Sequence, residues 1–487
     1  MTCKYEEEII MKNRKWLKLV SSLALATLVI TGCGKSGNDT GSSEEKEGAK
    51  ETTETLADMT DEDITLTFAS WENPDLQKHL ADEFMEKYPN IKVELVTVDQ
   101  ENWNDGLSNL ANSGQLPDVY WYQGNVDIPI VNGWLGDMTE YWEADPESKE
   151  VLNSLQQTGY INNEQKMAAA VFYQPYTVFL DKNVFNKLNV DMPDADWTYS
   201  EMIDLMKKMT VPEQEIYGYN DFTKLVTMAP IVQQDALGEF GWDGEKFDLT
   251  KDWADAMTTQ AEFVRSGVHA PYFDSDEAEA AFGDRTLWAA STGRIAMQLD
   301  AWWTKDLFAT DEFVDKGIEW VPYPVPQGDS KDTTHKPGFI DFGSFNSATE
   351  HPREAYELLK WMGWGKEGYQ SRLEAYKTLT NEDGSQMFTY PNGLPLTQDQ
   401  EIWDAVATEL PDSDYYKNFL ELVKEPVPLG GAVIPGFQTF LDEIYFGGEY
   451  GDVEQAIIQG EVNASDIAAD LTEKLNQYHE DAMNEIF

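Results

Sequence analysis

What most limits the folds open to this chain is a switch of hydrophobic period, repeated between Ile64 and Tyr122. Ile64, Leu66 and Phe68 alternate with Thr65 and Thr67, the period of two that a pleated strand imposes. From Asp75 the spacing widens to four. Leu76, Leu80, Phe84 and Tyr88 form one helical stripe, and Pro89 stops it. Ile91, Val93 and Leu95 return to alternation. Trp103, Leu107 and Leu110 mark a second helix ended by Gly114, and Asp118 to Tyr122 reads as a third strand. Strand and helix taken in turn argue for a parallel sheet with helices packed on it. In open α/β sheets a ligand sits beyond the carboxyl ends of the strands. Two aromatic and polar clusters fall at such ends, Trp71-Glu72-Asn73 and Tyr120-Trp121-Tyr122-Gln123. Spacing alone nominates them as site loops.

Before this stretch the chain carries an address. Met11 reads as the true start, since the run Glu6-Glu7-Glu8 suits no targeting segment. Lys12, Arg14, Lys15 and Lys18 form a positive region, and Leu19 to Ile30 is apolar apart from Ser21, Ser22 and Thr27. That length is too short to span a bilayer and fits the core of a signal peptide over residues 1–32. It closes on Ile30-Thr31-Gly32-Cys33, which resembles the bacterial lipobox. The resemblance implies that Cys33 takes a diacylglycerol carrying palmitate and becomes the new N-terminus. Cys3 is then lost with the leader, so neither disulfides nor thiol chemistry is expected. Residues 33–62 are rich in Gly, Ser, Thr and Glu, have no aromatic, and read as a disordered tether. No later segment is apolar enough for a membrane helix, which leaves the lipid as the expected attachment to the cell membrane.

Charge excludes one class of partner. The full chain carries −54, and residues 1–32 hold five Lys or Arg and three Glu, so the remainder carries −56. Such a surface repels phosphate backbones, and nucleic acid is not expected as a partner. Sixteen Trp, with 22 each of Tyr and Phe, exclude a wholly disordered chain.

Four stretches in order resemble the extracellular solute-binding proteins of carbohydrate ABC importers, the group that includes maltose-binding protein. Ile64-Thr65-Leu66-Thr67-Phe68-Ala69-Ser70-Trp71 is similar to the family's first strand and its ligand-facing tryptophan. Leu116-Pro117-Asp118-Val119 is similar to its third strand. Phe172-Tyr173-Gln174-Pro175-Tyr176 through Lys182 resembles the segment that crosses between lobes, although Leu180 and Asp181 replace the usual Tyr and Asn. Gly293-Arg294-Ile295-Ala296-Met297 through Trp303 resembles a second-lobe strand. The resemblance runs from about Ile64 to the C-terminus. It implies an α/β, periplasmic-binding-protein-like fold, two α/β lobes joined by hinge crossings with a ligand cleft between them. Crossings are expected near Ala168 to Tyr176, near Tyr323 to Lys336, and within Tyr390 to Gln400. The first lobe is then residues 63–170 with about 337–395, and the second 171–336 with about 396–487. Phe339 to Phe345 reads as a strand and loop of the first lobe. After it, Ala355, Leu358, Leu359 and Met362 form a helix stripe behind Pro352.

The family resemblance implies a sugar or short oligosaccharide as ligand, captured for delivery to a separate ABC permease pair at the extracellular face of the cell membrane. Aromatic rings suit the apolar faces of sugars, and Asp, Glu, Asn and Gln suit their hydroxyls. The candidate ligand residues are Trp71, Glu72, Trp121 and Gln123 at first-lobe strand ends, with Gln174 and Tyr176 at the crossing. Asp300, Trp302 and Trp303 end the second-lobe strand, and Phe339 and Asp341 follow the second crossing. Each Trp has core as its rival role. Trp197-Thr198-Tyr199-Ser200-Glu201-Met202 reads as a capping box and is structural. No catalytic residue, cofactor or metal is expected, since the five histidines have no ligand spacing and no G-x-S-x-G or H-E-x-x-H occurs. The protein is expected to be a monomer. Other readings are the same fold holding a peptide, polyamine or other polar solute, a surface glycosidase with two carboxylates, and an adhesin or sensor.

Overall fold

The alternating periods become β1 (Ile64–Ala69), β2 (Ile91–Leu95) and β3 (Val119–Tyr122), with helices Pro74–Lys87 and Trp103–Asn112 between them. The computed structural model describes residues 56–122, 126–161, 164–429 and 433–486; the leader, Cys33 and Gln123 lie outside the described residues. β1 pairs parallel with both β2 and β3. The first helix starts where Asn73 accepts from the amides of Asp75 and Leu76, satisfying two of the free N–H groups that every helix start exposes.

The remaining strands are β4 (Ala169–Asp181), β5 (Tyr217–Asp221), β6 (Ile295–Ala301), β7 (Trp320–Pro324), β8 (Lys336–Phe345) and β9 (Pro426–Pro428). They run in the order β2-β1-β3-β8-β4-β6-β5, with β7 also on β4 and β9 on β8. β4 is buried along its whole length and changes partners midway. Ala169 to Pro175 pair with β8, and Tyr176 to Asp181 lie between β6 and β7. It thus joins the first set of strands to the second. Beyond Pro175 the strand period sorts side chains to two sides. Tyr176, Val178 and Leu180 join one second-lobe core with Met202, Met206 and Met209, while Phe179 joins another with Phe308, Phe313 and Trp320. The capping box forms as read, with Thr198 accepting from the amide of Glu201 and Glu201 accepting from the amide of Thr198.

Two boundaries differ from expectation. Ile402, Trp403, Val406, Phe419, Leu420 and Val423 pack into the first-lobe core, whereas Val427 and Leu429 join the second. The third passage therefore lies at about residues 424–427 rather than within Tyr390 to Gln400. The helix Gln400–Thr408 turns its apolar residues to the first core, and Asp414–Leu422 bridges the two, with Phe419 and Leu420 in the first and Tyr415 against Tyr323 of the second. The end of the tether is also not free. Leu56 and Met59 pack on the first core, Arg353 Nε donates to the Ala57 carbonyl at 2.8 Å, and the Thr60 amide donates to Glu354 Oε1 at 2.7 Å. Asn90 Nδ2 donates to the Thr60 and Glu62 carbonyls. Two apolar residues and these hydrogen bonds together dock it.

A chain begun at residue 63 is expected to be less stable than one begun at residue 56 by about 1–3 kcal/mol, from the uncovered apolar area and the lost hydrogen bonds. Urea unfolding of the two chains measures this, and equal midpoints would show that the docked segment adds nothing.

Candidate ligand-binding cleft

Between the lobes, β4 and β8 present one shared face. Phe339 and Asp341 stand two apart on β8, so both point to the same side. Gln174 lies opposite Phe339 and Phe172 opposite Asp341 in the antiparallel ladder. This face carries a group toward each lobe. On the second-lobe side the Trp303 ring packs on Phe339 at 4.7 Å and edge-on to Phe222 at 5.8 Å. On the first-lobe side the Trp71 side chain hydrogen-bonds to Asp341. Trp71, Phe222 and Trp303 stand within two residues of the ends of β1, β5 and β6, the position where α/β folds place ligands. Trp303 is 37% and Phe222 43% exposed, and Trp71, Phe339 and Asp341 are half-buried. Large rings left partly in water at one spot are the features that need explaining.

The other sequence candidates go elsewhere. Trp302 is sealed in the first-lobe core, its ring stacked on Phe419 at 4.9 Å and its Nε1 donating to the Pro391 carbonyl at 2.9 Å. Its amide donates to the Pro175 carbonyl, so it pins the end of β6 to the crossing strand. Trp121 is also fully buried and makes an edge contact with Trp71 at 5.2 Å, as Trp103 does at 5.1 Å. Both buried tryptophans support the walls instead of facing the cleft. Tyr176 is buried with its hydroxyl donating to the Thr223 carbonyl at 2.6 Å. Asp300 is buried and accepts from the Ala301 amide and from Gln298. Gln174 by contrast stays on the shared face; it is buried, its Nε2 donating to Asn392 Oδ1 at 3.3 Å, with no protein partner for its Oε1 among the described residues.

Electrostatics separate the two acids of the floor. Glu72 is held by Arg372 through both guanidinium ends, with Nη2 donating to Oε2 at 3.1 Å and Nη1 to Oε1. Burial pushes the Asp341 carboxyl up to about 7; the charge of Glu72 adds to the rise, and the Trp71 hydrogen bond opposes it. Burial likewise lifts Asp300 to about 6, against hydrogen bonds from Thr304, the Ala301 amide, Gln298 and Trp303. Behind Phe222 and Phe339 a pocket of about 280 Å³ runs into the second lobe, walled by Phe240, Trp253, Leu441 and Tyr445. Lys224 and Glu454 meet on its edge as an ion pair. Sequence reasoning missed Phe222, Phe172, Lys224 and Arg372. Phe222 had a faint signal, since it ends the short run Tyr217 to Asp221 before a helix. Arg372 had none, for its partner lies 300 residues away. Among the described residues no group of three or more His, Cys, Asp or Glu is placed to hold a metal ion, and no helix is long and apolar enough to cross a membrane.

Residues 69–363 match the family model described as bacterial extracellular solute-binding protein. No curated protein sequence matches the chain. Among solved structures, the chain is similar to an ABC substrate-binding protein from Listeria monocytogenes in complex with cycloalternan, at 17% identity and a TM-score of 0.61 over 85% of this chain and 99% of that one. It is similar to a sugar transporter from Rhizobium etli in an open conformation, at 15% identity and 0.65 over 84% and 98%. It is also similar to a sugar-binding protein from Xanthomonas citri, at 14% identity and 0.60 over 86% and 98%. At such identities the likeness carries the fold alone.

Two outcomes test this geometry. Trp302→Ala is expected to destabilise the protein by about 3–5 kcal/mol, the usual loss for a large core ring, and Trp303→Ala by under about 1 kcal/mol; urea unfolding that ranks them the other way would contradict the assignment. For Asp341, a raised carboxyl means that the folded chain holds its proton more tightly than the unfolded chain does. The resulting stability is full below about pH 4, the unfolded value, and is lost as pH rises through about 7. Wild type should therefore lose stability relative to Asp341→Asn between those limits, and a constant difference in melting temperature would refute it.

Proposed function

The chain belongs to the bacterial extracellular solute-binding proteins, and on that premise we propose that it captures a sugar or oligosaccharide between its lobes for an ABC importer. One observation carries the ligand class. Partly exposed ring faces at Trp71, Trp303, Phe222 and Phe339 frame the uncharged or half-charged polar groups of the β4–β8 face. Apolar C–H faces stack on the rings, and sugar hydroxyls meet Asp341 and Gln174, whose Oε1 has no protein partner among the described residues. The relatives named for cycloalternan and for sugars support this reading. A ligand that touches both walls favours the lobes closed on it, because only that form makes both sets of contacts.

The polyamine reading weakens here, because Glu72 is paired with Arg372 and Glu454 with Lys224, and burial raises the Asp341 carboxyl toward its neutral form. A glycosidase reading gains one observation, the raised carboxyl of Asp341 beside a second carboxylate. Yet Glu72 has both oxygens on Arg372, which leaves it unsuited to act as base or nucleophile. We take the protein as a binder without catalysis. We further propose that residues 1–32 are a signal peptide and that Cys33 carries the lipid. The tether then spans residues 33–55, and the protein serves as a monomer at the outer face of the cell membrane, beside its permease.

A thermal-shift screen against mono-, di- and oligosaccharides, with peptides and polyamines as controls, tests the ligand class. A glycan at a hundred times its Kd adds about 2.7 kcal/mol to the native state. One glycan class should raise the melting temperature, and Trp303→Ala should abolish the shift. A rise with peptides or polyamines alone would keep the fold and sink the sugar.

A further inference from the structure

Arg372 lies on the helix Lys366–Thr378 of the first lobe with its side chain 2% exposed. Besides gripping Glu72, its Nη2 donates to the Met362 carbonyl at 2.9 Å, and its guanidinium carbon stands 5.4 Å from the ring centroid of Phe172. Phe172 is the ladder partner of Asp341. One buried cation therefore meets the acid behind Trp71 and the ring opposite Asp341. It also contributes the positive charge that offsets Glu72. A buried ion pair is weak evidence for stability, since apolar residues of like volume often serve as well. What the pair does set is the charge of the floor. Take the guanidinium away, and Glu72 becomes an uncompensated carboxylate near Asp341, Trp71 and Phe172. Acids among aromatic faces are what an organic cation binds to.

We propose that Arg372 is the specificity-determining residue of the cleft floor: by neutralising Glu72 it commits the site to uncharged, hydroxyl-rich ligands and excludes organic cations. This rests on the preceding reading that the ligand meets the β4–β8 face. Arg372 need not touch the ligand, because its charge acts through Glu72 and Phe172.

Two opposite charge swaps test it, with spermidine and galacturonate as probes beside the neutral glycans, all read by thermal shift at about pH 6, where Asp341 keeps its proton. Wild type should ignore spermidine. Arg372→Met should bind it at least about tenfold more tightly than wild type does, the scale of one desolvated cation–π or charge contact. Glu72→Gln leaves Arg372 uncompensated and should gain galacturonate by a similar factor, so a failure of Arg372→Met to fold does not leave the question open. The double variant Glu72→Gln/Arg372→Met should respond to neither ion. Spermidine binding by wild type, or variants as indifferent to charge as wild type, would overturn the proposal. If wild type ignores every neutral glycan while the swaps still gain their ions, the sugar reading fails and the charge assignment stands. If wild type binds a glycan while the variants stay blind to charge, the sugar reading stands and the charge assignment fails.

Discussion

The fold depends on a strand that has to be satisfied on two sides of a boundary. β4 is thirteen residues long and buried throughout, so each of its backbone groups needs a partner inside the protein. As far as Pro175, β8 supplies them on one edge while the Leu394 and Trp302 amides donate to the Tyr173 and Pro175 carbonyls on the other, and β6 with β7 flank the strand from Tyr176 onward. That change of partners is what makes two lobes out of one connected set of strands. It also leaves the β4–β8 ladder between the lobes, where one face carries Phe172 from the first core and Phe339 packed against the second. Trp302 reinforces the same junction, since its amide and indole both bond to the segments that meet there.

On this floor the protein balances exposure against charge. The chain as a whole carries −54, yet the acids nearest the shared face are paired or pushed toward neutrality. The surface excess keeps the protein soluble, whereas the floor is tuned to a different end. Among the described residues the aromatic rings most open to water, Phe222 and Trp303, both stand where the two lobes face each other. Other tryptophans fill the core, as Trp121 and Trp302 do.

Much of the fold was legible in the sequence because periodicity is a local signal. The strands and helices from Ile64 to Tyr122 and the Thr198 capping box all formed where the residue pattern puts them. What was not legible depends on distant pairings. Trp302 and Trp303 are neighbours of one residue type, but the turn after β6 sends one into the core and leaves the other in solvent. Local pattern cannot separate them. Arg372 neutralises Glu72 across 300 residues, and the helix Gln400–Thr408 chooses the first core by contacts made with residues far upstream. The docking of Leu56 and Met59 was hidden for a different reason, since two apolar residues in a polar run carry no period at all.

Everything proposed for the cleft requires that one ligand touch both walls of the space above β8. Amide hydrogen exchange, with and without the glycan that raises the melting temperature, reads both walls at once. Added protection is expected together at the loop Trp71 to Asn73, at the turn Trp302 to Thr304, and at Asp221 to Thr223. Protection confined to one lobe, or found only away from these three loops, would contradict a ligand held between the lobes.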